Sequence, residues 1–165
     1  MGVTLRHPKG VHPRMKTLLI VFHTGGVKTA QMAEAVERGA RSEEGLRVVV
    51  KRCTEAGPED VLAADGLILG TPENFGYMSG MMKDFLERIF YACDGKVEGR
   101  PWALFVGAGQ DGSGAVTSVE RIVTGLRMKK ISEPIVVVKE LKPEQLAACE
   151  ELGAAMAAGL AMGAF

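Results

Sequence analysis

Apolar residues recur along the chain in two alternating patterns. Short continuous apolar runs, typical of strands buried on both faces of a parallel sheet, predict strands over residues 17–22, 46–51, 66–70, 101–106 and 131–138. Between these runs, apolar positions recur every three or four residues, which indicates helices with one buried face. These predicted helices span residues 29–41, 59–64, 79–91, 113–126 and 143–160.

The regular alternation of strand and helix predicts the fold class. Successive parallel strands need right-handed crossovers, which place the helices on both faces of the sheet. We therefore predict an α/β fold, a three-layer sandwich around a five-stranded parallel sheet. Together with the placement of the three loops described below, the five alternating units predict the order 2-1-3-4-5. The second strand is less apolar than the first, which favours an edge position.

The first 15 residues lack any hydrophobic period and contain two His-Pro pairs. Chain termini of this composition are commonly loosely ordered. We predict a flexible leader over residues 1–15 and one domain over residues 16–165. Met15 stands almost directly before the first strand, so the pattern is compatible with initiation there as well as at Met1.

The charge balance is neutral, with 20 basic and 20 acidic residues. Residues 1–16 hold four of the bases and no acid, so the remainder carries a net charge of −4. A mildly acidic domain does not indicate a nucleic-acid-binding protein.

Cysteine use and hydropathy bear on location. The three cysteines, Cys53, Cys93 and Cys149, are widely spaced and form no C-x-x-C pair. A disulfide framework or zinc site is therefore not indicated, and a reducing cytoplasm fits best. The longest apolar run near the N-terminus covers only residues 18–22, too short for a signal sequence or a membrane span.

The loop after the first predicted strand has the features of a phosphate site. It combines hydroxyls, two glycines and the start of a helix, where unpaired N–H groups and partial positive charge favour an anion. Its candidate residues are Thr24, Gly25, Gly26, Val27, Lys28 and Thr29. The spacing does not match a Walker A loop, and a plain turn with Thr29 near the helix N-cap remains the alternative.

The loop after the third predicted strand could lay backbone amides and an aromatic edge along a planar ligand. Its candidate residues are Thr71, Pro72, Glu73, Asn74, Phe75 and Gly76. The alternative is that Phe75 and Met78 fill the core.

The loop after the fourth predicted strand matches G-x-G-x-x-G. Its candidate residues are Gly107, Gly109, Gln110, Asp111 and Gly112. A dinucleotide fingerprint belongs after the first strand, with an acid about twenty residues further on, whereas position 127 is arginine. The motif therefore does not predict a Rossmann NAD site, although its glycines indicate a flat group close to the backbone.

The segment GTPENFGYMSGMMKDF at residues 70–85 resembles the second flavin loop of flavodoxin-like quinone reductases, the Trp-repressor-binding-protein-like family of FMN-dependent NAD(P)H oxidoreductases and FMN reductases. This resemblance covers roughly residues 17–165 and implies a flavodoxin-like fold, FMN as cofactor and NAD(P)H as electron donor. It implies that residues 24–29 bind the FMN phosphate. Residues 73–76 would contact the ribityl chain and ring, and residues 109–112 the pyrimidine side.

Two positions depart from the family pattern. Val27 stands where a glycine is expected, and if that position needs a positive φ, valine costs roughly 1–3 kcal/mol. The family often has a histidine after the third-loop helix, where this chain has residues 125–128, Gly-Leu-Arg-Met. The resemblance therefore implies flavin as cofactor more firmly than quinone as acceptor.

Three functions are compatible with these observations. The first is an FMN-binding oxidoreductase that passes electrons from NAD(P)H to a small acceptor such as a quinone or free flavin. The second is a flavodoxin-type electron carrier, and the third is a cofactor-free interaction protein. The chemistry would belong to the flavin, so we assign no catalytic side chain and no metal ligand. Met78 and Met81 are predicted to lie off the core face of their helix, which favours a homodimer or homotetramer.

Overall fold

The structure, a computed structural model, describes residues 14–165, so most of the predicted leader lies outside the described residues. Strands and helices alternate along the chain as predicted. In chain order the elements are β1 (Lys16–Phe22), α1 (Val27–Ala40), β2 (Leu46–Arg52), α2 (Pro58–Ala63), β3 (Gly66–Asn74), β4 (Tyr77–Met78), α3 (Gly80–Cys93), β5 (Pro101–Ala108), α4 (Ser113–Gly125), β6 (Lys129–Lys130), β7 (Ile135–Val138) and α5 (Pro143–Met162).

The parallel strands of the sheet lie in the order β2-β1-β3-β5, with β6 and β7 both paired to the outer side of β5. This arrangement confirms the predicted 2-1-3-4-5 order and the edge position of β2. The prediction of one continuous strand over residues 131–138 is wrong. Pro134 lies inside that segment, and because proline has no N–H to donate, pairing is interrupted between β6 and β7.

The apolar runs of the central strands are buried on both faces of the sheet. In β1, Leu18 and Ile20 pack in the core beneath α1 and α5, whereas Leu19 and Val21 pack in the core beneath α2, α3 and α4. Because neighbouring side chains of a strand point to opposite faces, a run without polar positions is what a three-layer fold requires.

The C-terminal part of β3 forms an antiparallel hairpin with β4. β3 is paired with β1 up to Gly70, the predicted end of the strand. It then continues and the chain turns back as β4, so that Glu73 pairs with Met78. The prediction that Met78 lies off the core is wrong, because the side chain is only 2 % exposed; Met81 is 40 % exposed. Met78 belongs to the hairpin and not to α3, so helical periodicity does not apply to it.

No helix in the described range 14–165 is both long and apolar enough to cross a membrane.

Candidate functional site

Three loops meet at the carboxyl edge of the sheet. Loop one (residues 23–26, leading into α1), loop two (the hairpin tip at residues 74–77) and loop three (residues 109–112) follow the adjacent parallel strands β1, β3 and β5. Ligands in open α/β sheets bind outside the carboxyl ends of the strands where the strand order reverses. The order reverses at β1, so loop one stands at that point.

The start of α1 presents unpaired N–H groups. The helix begins at Val27 with Gly26 as N-cap, and no side chain caps it. The N–H groups of the first helical turn have no partner within the helix. A Cβ at Gly25 or Gly26 would meet no atom within 4 Å, so the space in front of these groups is open. This is the geometry of an anion site at a helix N-terminus.

Loop one is held by Thr24 and needs no left-handed residue. The Thr24 hydroxyl donates to the Gly26 carbonyl, and its Oγ1 accepts from the Gly26 N–H at 3.2 Å. Gly26 is extended, with φ −166°. Val27 is the first helical residue and its φ is not positive. The strain expected at Val27 is therefore absent. The helix begins two residues earlier than predicted, with Gly26 as N-cap and Thr29 buried in the first turn.

The charge near loop one is positive. Burial, and then the charge of Arg52, lower the pKa of His23 below its usual 6.5, so this imidazole is neutral at pH 7. The Arg52 guanidinium lies 4.9 Å from the centre of the Phe22 ring, at the end of β1. The helix N-terminus and Arg52 therefore provide the positive potential here, and His23 does not.

The tip of loop two is a tight turn with an exposed aromatic ring. Phe75 and Gly76 have φ of 53° and 65°, as the two central residues of a type I′ hairpin require. Glycine adopts this conformation freely, but a bulky residue such as Phe75 is strained there. The Phe75 side chain is fully exposed, so the alternative that it fills the core is wrong.

The hairpin is anchored at its base. The Thr71 Oγ1 accepts from the Ser79 N–H at 3.0 Å, and the Ser118 Oγ accepts from the Met78 N–H at 3.2 Å. At the tip, a Cβ on Gly114 would overlap the Gly76 carbonyl, so the turn rests directly on the start of α4. The Phe75 ring therefore projects from a hairpin that is held in place at its base and at its tip.

Glu73 carries a polar atom without a partner. Its Oε1 is buried, and no hydrogen-bond donor reaches it from the described residues. A buried acceptor left unpaired costs roughly 1–3 kcal/mol. A ligand with hydroxyl or ring N–H donors, as the ribityl chain and isoalloxazine of FMN have, would satisfy this oxygen.

Loop three is shorter than its motif suggests. Gly107 belongs to β5, and a Cβ there would overlap the Thr29 hydroxyl, so this glycine lets α1 sit against the strand. The other candidates, Gly109 to Gly112, form the loop, and Gly112 has φ 76° as N-cap of α4. The Ser113 N–H and hydroxyl both donate to Asp111 Oδ1, which lowers the pKa of Asp111 and keeps it ionised.

The sequence did not indicate where the Lys28 side chain goes. Its Nζ donates to the Ala108 carbonyl at 2.6 Å, across 80 residues of chain, and lies 3.5 Å from the Val137 carbonyl. The backbone N–H of Lys28 stays at the helix start, so the residue faces loop one with its main chain and loop three with its side chain. No local sequence pattern distinguishes a lysine that makes such a contact from a lysine at a helix start that points into solvent.

Comparison with known proteins identifies the family. The model of the family described as NADPH-dependent FMN reductase matches residues 29–142, well over half of the chain. A protein of Aquifex aeolicus named flavodoxin is 38% identical over 112 residues. A protein of Acidithiobacillus ferrooxidans named NAD(P)H dehydrogenase (quinone) is 32% identical over 133 residues. The solved structure of an archaeal flavodoxin superposes with a TM-score of 0.76 at 18% identity, covering 87% of this chain and 98% of that one, which shows the fold.

Each of the two sequence relatives aligns over 68% of this chain, but the alignments span only 60% and 66% of the relatives' own lengths. The relatives are therefore longer than the region they share with this chain. The fold is flavodoxin-like, as predicted, and the chain belongs to the NADPH-dependent FMN reductase family.

Proposed function

We propose that this protein is an FMN-dependent oxidoreductase that passes electrons from NAD(P)H to a small acceptor such as a quinone or free flavin. The observation that carries the proposal is the uncapped start of α1, open in front of Gly25 and Gly26 and joined to two further loops at the same edge. The family membership and the relative named NAD(P)H dehydrogenase (quinone) support it.

The three loops would divide the cofactor between them. The N–H groups of residues 25–29 would hold the phosphate, residues 73–76 the ribityl chain and one face of the ring, and residues 109–112 the pyrimidine side. Thr71 and Gly107 would act from behind the loops, Thr71 by anchoring the hairpin and Gly107 by letting α1 pack against β5. When bound, FMN supplies the redox chemistry, taking a hydride from NAD(P)H and passing electrons on. The protein positions the ring, keeps Asp111 ionised beside it through Ser113, and offers Glu73 Oε1 as a hydrogen-bond acceptor.

Anaerobic addition of NADPH or NADH to the FMN-loaded protein tests the activity. We expect the visible flavin absorbance to bleach, and to return when a quinone or excess free FMN is added. A protein that binds FMN but is not bleached by either nucleotide would be an electron carrier, as the relative named flavodoxin suggests. A protein that binds no flavin would have the third function, a cofactor-free interaction.

We also propose that the protein forms a homodimer, as an isologous pair or as half of a tetramer, through a groove between α3 and α4. This groove has a volume of about 560 Å³ and is lined by Leu86, Glu87, Phe90, Tyr91, Arg121, Ile122 and Gly125. Tyr91 is 88 % exposed beside it. Glu87 on α3, which pairs with Lys83 of the same helix, and Arg121 on α4 carry opposite charges on the two sides of the groove. A two-fold axis through the groove would bring each of them to the other in the second copy.

Light scattering of the wild-type protein and of Tyr91→Lys tests this association. We expect the wild type to have at least twice the 17.6 kDa chain mass, and the variant to be monomeric because two lysines would meet across the axis. Met162→Lys is the matched control, since Met162 is a largely apolar side chain, 76 % exposed, at the end of α5 and away from the groove. A wild-type monomer, or a variant that stays associated, contradicts the groove as the interface.

We place the protein in the cytoplasm, with small molecules and not nucleic acid as its partners. The three cysteines are free and buried, and burial raises the pKa of Cys53 to about 12 and that of Cys149 to about 11. Buried thiols with a raised pKa are unreactive. The location rests instead on the cysteines being unpaired, since disulfides are typical of oxidising compartments.

A further inference from the structure

Lys28 connects two parts of the site that are far apart in the chain. The residue lies in the first turn of α1, yet its ammonium donates to the carbonyl of Ala108, the last residue of β5. Loop three begins at the next residue. The same carbonyl accepts from the Lys139 N–H at the longer distance of 3.3 Å. A charge-assisted hydrogen bond of 2.6 Å is the stronger of the two, so Lys28 helps to fix the point from which loop three departs.

The ammonium also has a distinct electrostatic setting. Loops two and three each bring one carboxylate to this edge, Glu73 and Asp111, and Asp111 is kept ionised by Ser113. On the other side, Arg52 at the end of β2 lies over the Phe22 ring, next to loop one. Lys28 is a cation held directly against the base of loop three.

We propose that Lys28 is a positioning residue that acts through loop three and favours the reduced form of the cofactor. The inference rests on the proposed FMN site, in which residues 109–112 face the pyrimidine side of the ring. Two-electron reduction of FMN increases the negative charge on that side, and a nearby fixed cation stabilises it. A phosphate ligand, in contrast, would act on both redox forms equally.

Lys28→Met tests the proposal, because methionine keeps the unbranched apolar stem of the side chain and removes the terminal ammonium with its charge. We expect the ratio of affinities for reduced and oxidised FMN to fall about tenfold, which lowers the midpoint potential of bound FMN by about 30 mV for a two-electron couple. Lys28→Arg should stay near the wild-type potential. Lys129→Met is the charge-matched control, since Lys129 is exposed and pairs with the start of β5 at the opposite edge.

Binding of oxidised FMN and of riboflavin, which lacks the phosphate, separates the two roles of Lys28. We expect Lys28→Met to lower the affinity for both flavins by a similar factor. A loss of affinity confined to FMN would make Lys28 a phosphate ligand and overturn the proposal. An unchanged midpoint potential would also overturn it. A wild-type protein that binds neither flavin would instead refute the proposed function.

The contact between Lys28 and the base of loop three is testable without any flavin. Hydrogen exchange of the backbone amides of residues 109–112 should be faster in apo Lys28→Met than in the wild type, and unchanged in Lys129→Met. Equal exchange in all three proteins, with thermal unfolding showing each to be folded, would refute the claim that Lys28 holds loop three.

Discussion

Gly26→Asp is expected to abolish tight FMN binding while leaving the protein folded. Gly26 is the extended N-cap of α1, and a Cβ there meets no atom within 4 Å, so the fold accepts the side chain. The new carboxylate would cap the helix and take the N–H groups that the phosphate needs. Two unit charges 4 Å apart repel by about 4 kcal/mol at an effective dielectric of 20, which corresponds to roughly a thousandfold loss of FMN affinity.

Flavin fluorescence quenching measures this effect, with riboflavin as the second ligand. Riboflavin affinity should change little, because riboflavin has no phosphate to repel. Gly26→Asn is the matched control, since asparagine caps a helix about as well as aspartate without the charge. Both variants should be as stable as the wild type or slightly more so, because either residue caps better than glycine by a few tenths of a kcal/mol. Equal FMN affinity in Gly26→Asp and the wild type would show that the phosphate of FMN does not bind at the start of α1.

Phe75→Asn is expected to stabilise the apo protein and weaken flavin binding together. Asparagine followed by Gly76 is the preferred pair for a type I′ turn, so the substitution should relieve about 1 kcal/mol of backbone strain, which raises the free energy of unfolding. The same change removes a fully exposed ring. Stacking of a planar heterocycle on an aromatic side chain contributes about 1–3 kcal/mol, so FMN affinity should fall roughly tenfold to a hundredfold.

Phe75→Tyr is the matched control for this substitution. Tyrosine keeps both the ring and the unfavourable φ, so we expect wild-type stability and nearly wild-type FMN affinity. Chemical denaturation of the apo proteins gives the stability, and flavin quenching gives the affinity. If Phe75→Asn binds FMN as tightly as the wild type, the ring does not contact the flavin. If it unfolds more easily, the turn is not strained.

The surrounding structure holds the strained aromatic residue at this turn. A residue in an unfavourable conformation persists where the surrounding structure holds it. Here the hairpin rests on Gly114 and is anchored through Ser118. If both expected effects of Phe75→Asn are measured, the strain in the free protein is the cost of presenting the ring to a ligand.

The sequence was sufficient to predict the alternation of strands and helices and the position of the three loops. Runs such as residues 17–22 have no polar position, and only a strand covered on both faces accommodates them. Glycines after β1, β3 and β5 then marked the edge where the loops gather. These features are local, so periodicity and composition reveal them without knowledge of the tertiary contacts.

The parts of the site that the sequence did not predict depend on contacts between distant residues. The hairpin escaped notice because Glu73 and Asn74 are polar and its return strand has only two residues, so neither shows a strand period. The burial of Met78 follows from that hairpin. The Lys28 contact with Ala108 spans 80 residues. Val27 was expected to be strained because the family pattern has a glycine there, whereas in this chain the position is the first residue of α1 and has no positive φ.

The most direct test of the account is the backbone amide map of isotopically labelled protein titrated with FMN and, separately, with inorganic phosphate. With FMN we expect the largest shifts at residues 25–29, 73–76 and 109–112, because all three loops would contact the cofactor. With phosphate alone we expect shifts at residues 25–29 and little change elsewhere. Shifts that leave residues 25–29 unmoved with both ligands would contradict the claim that the start of α1 binds the phosphate of FMN.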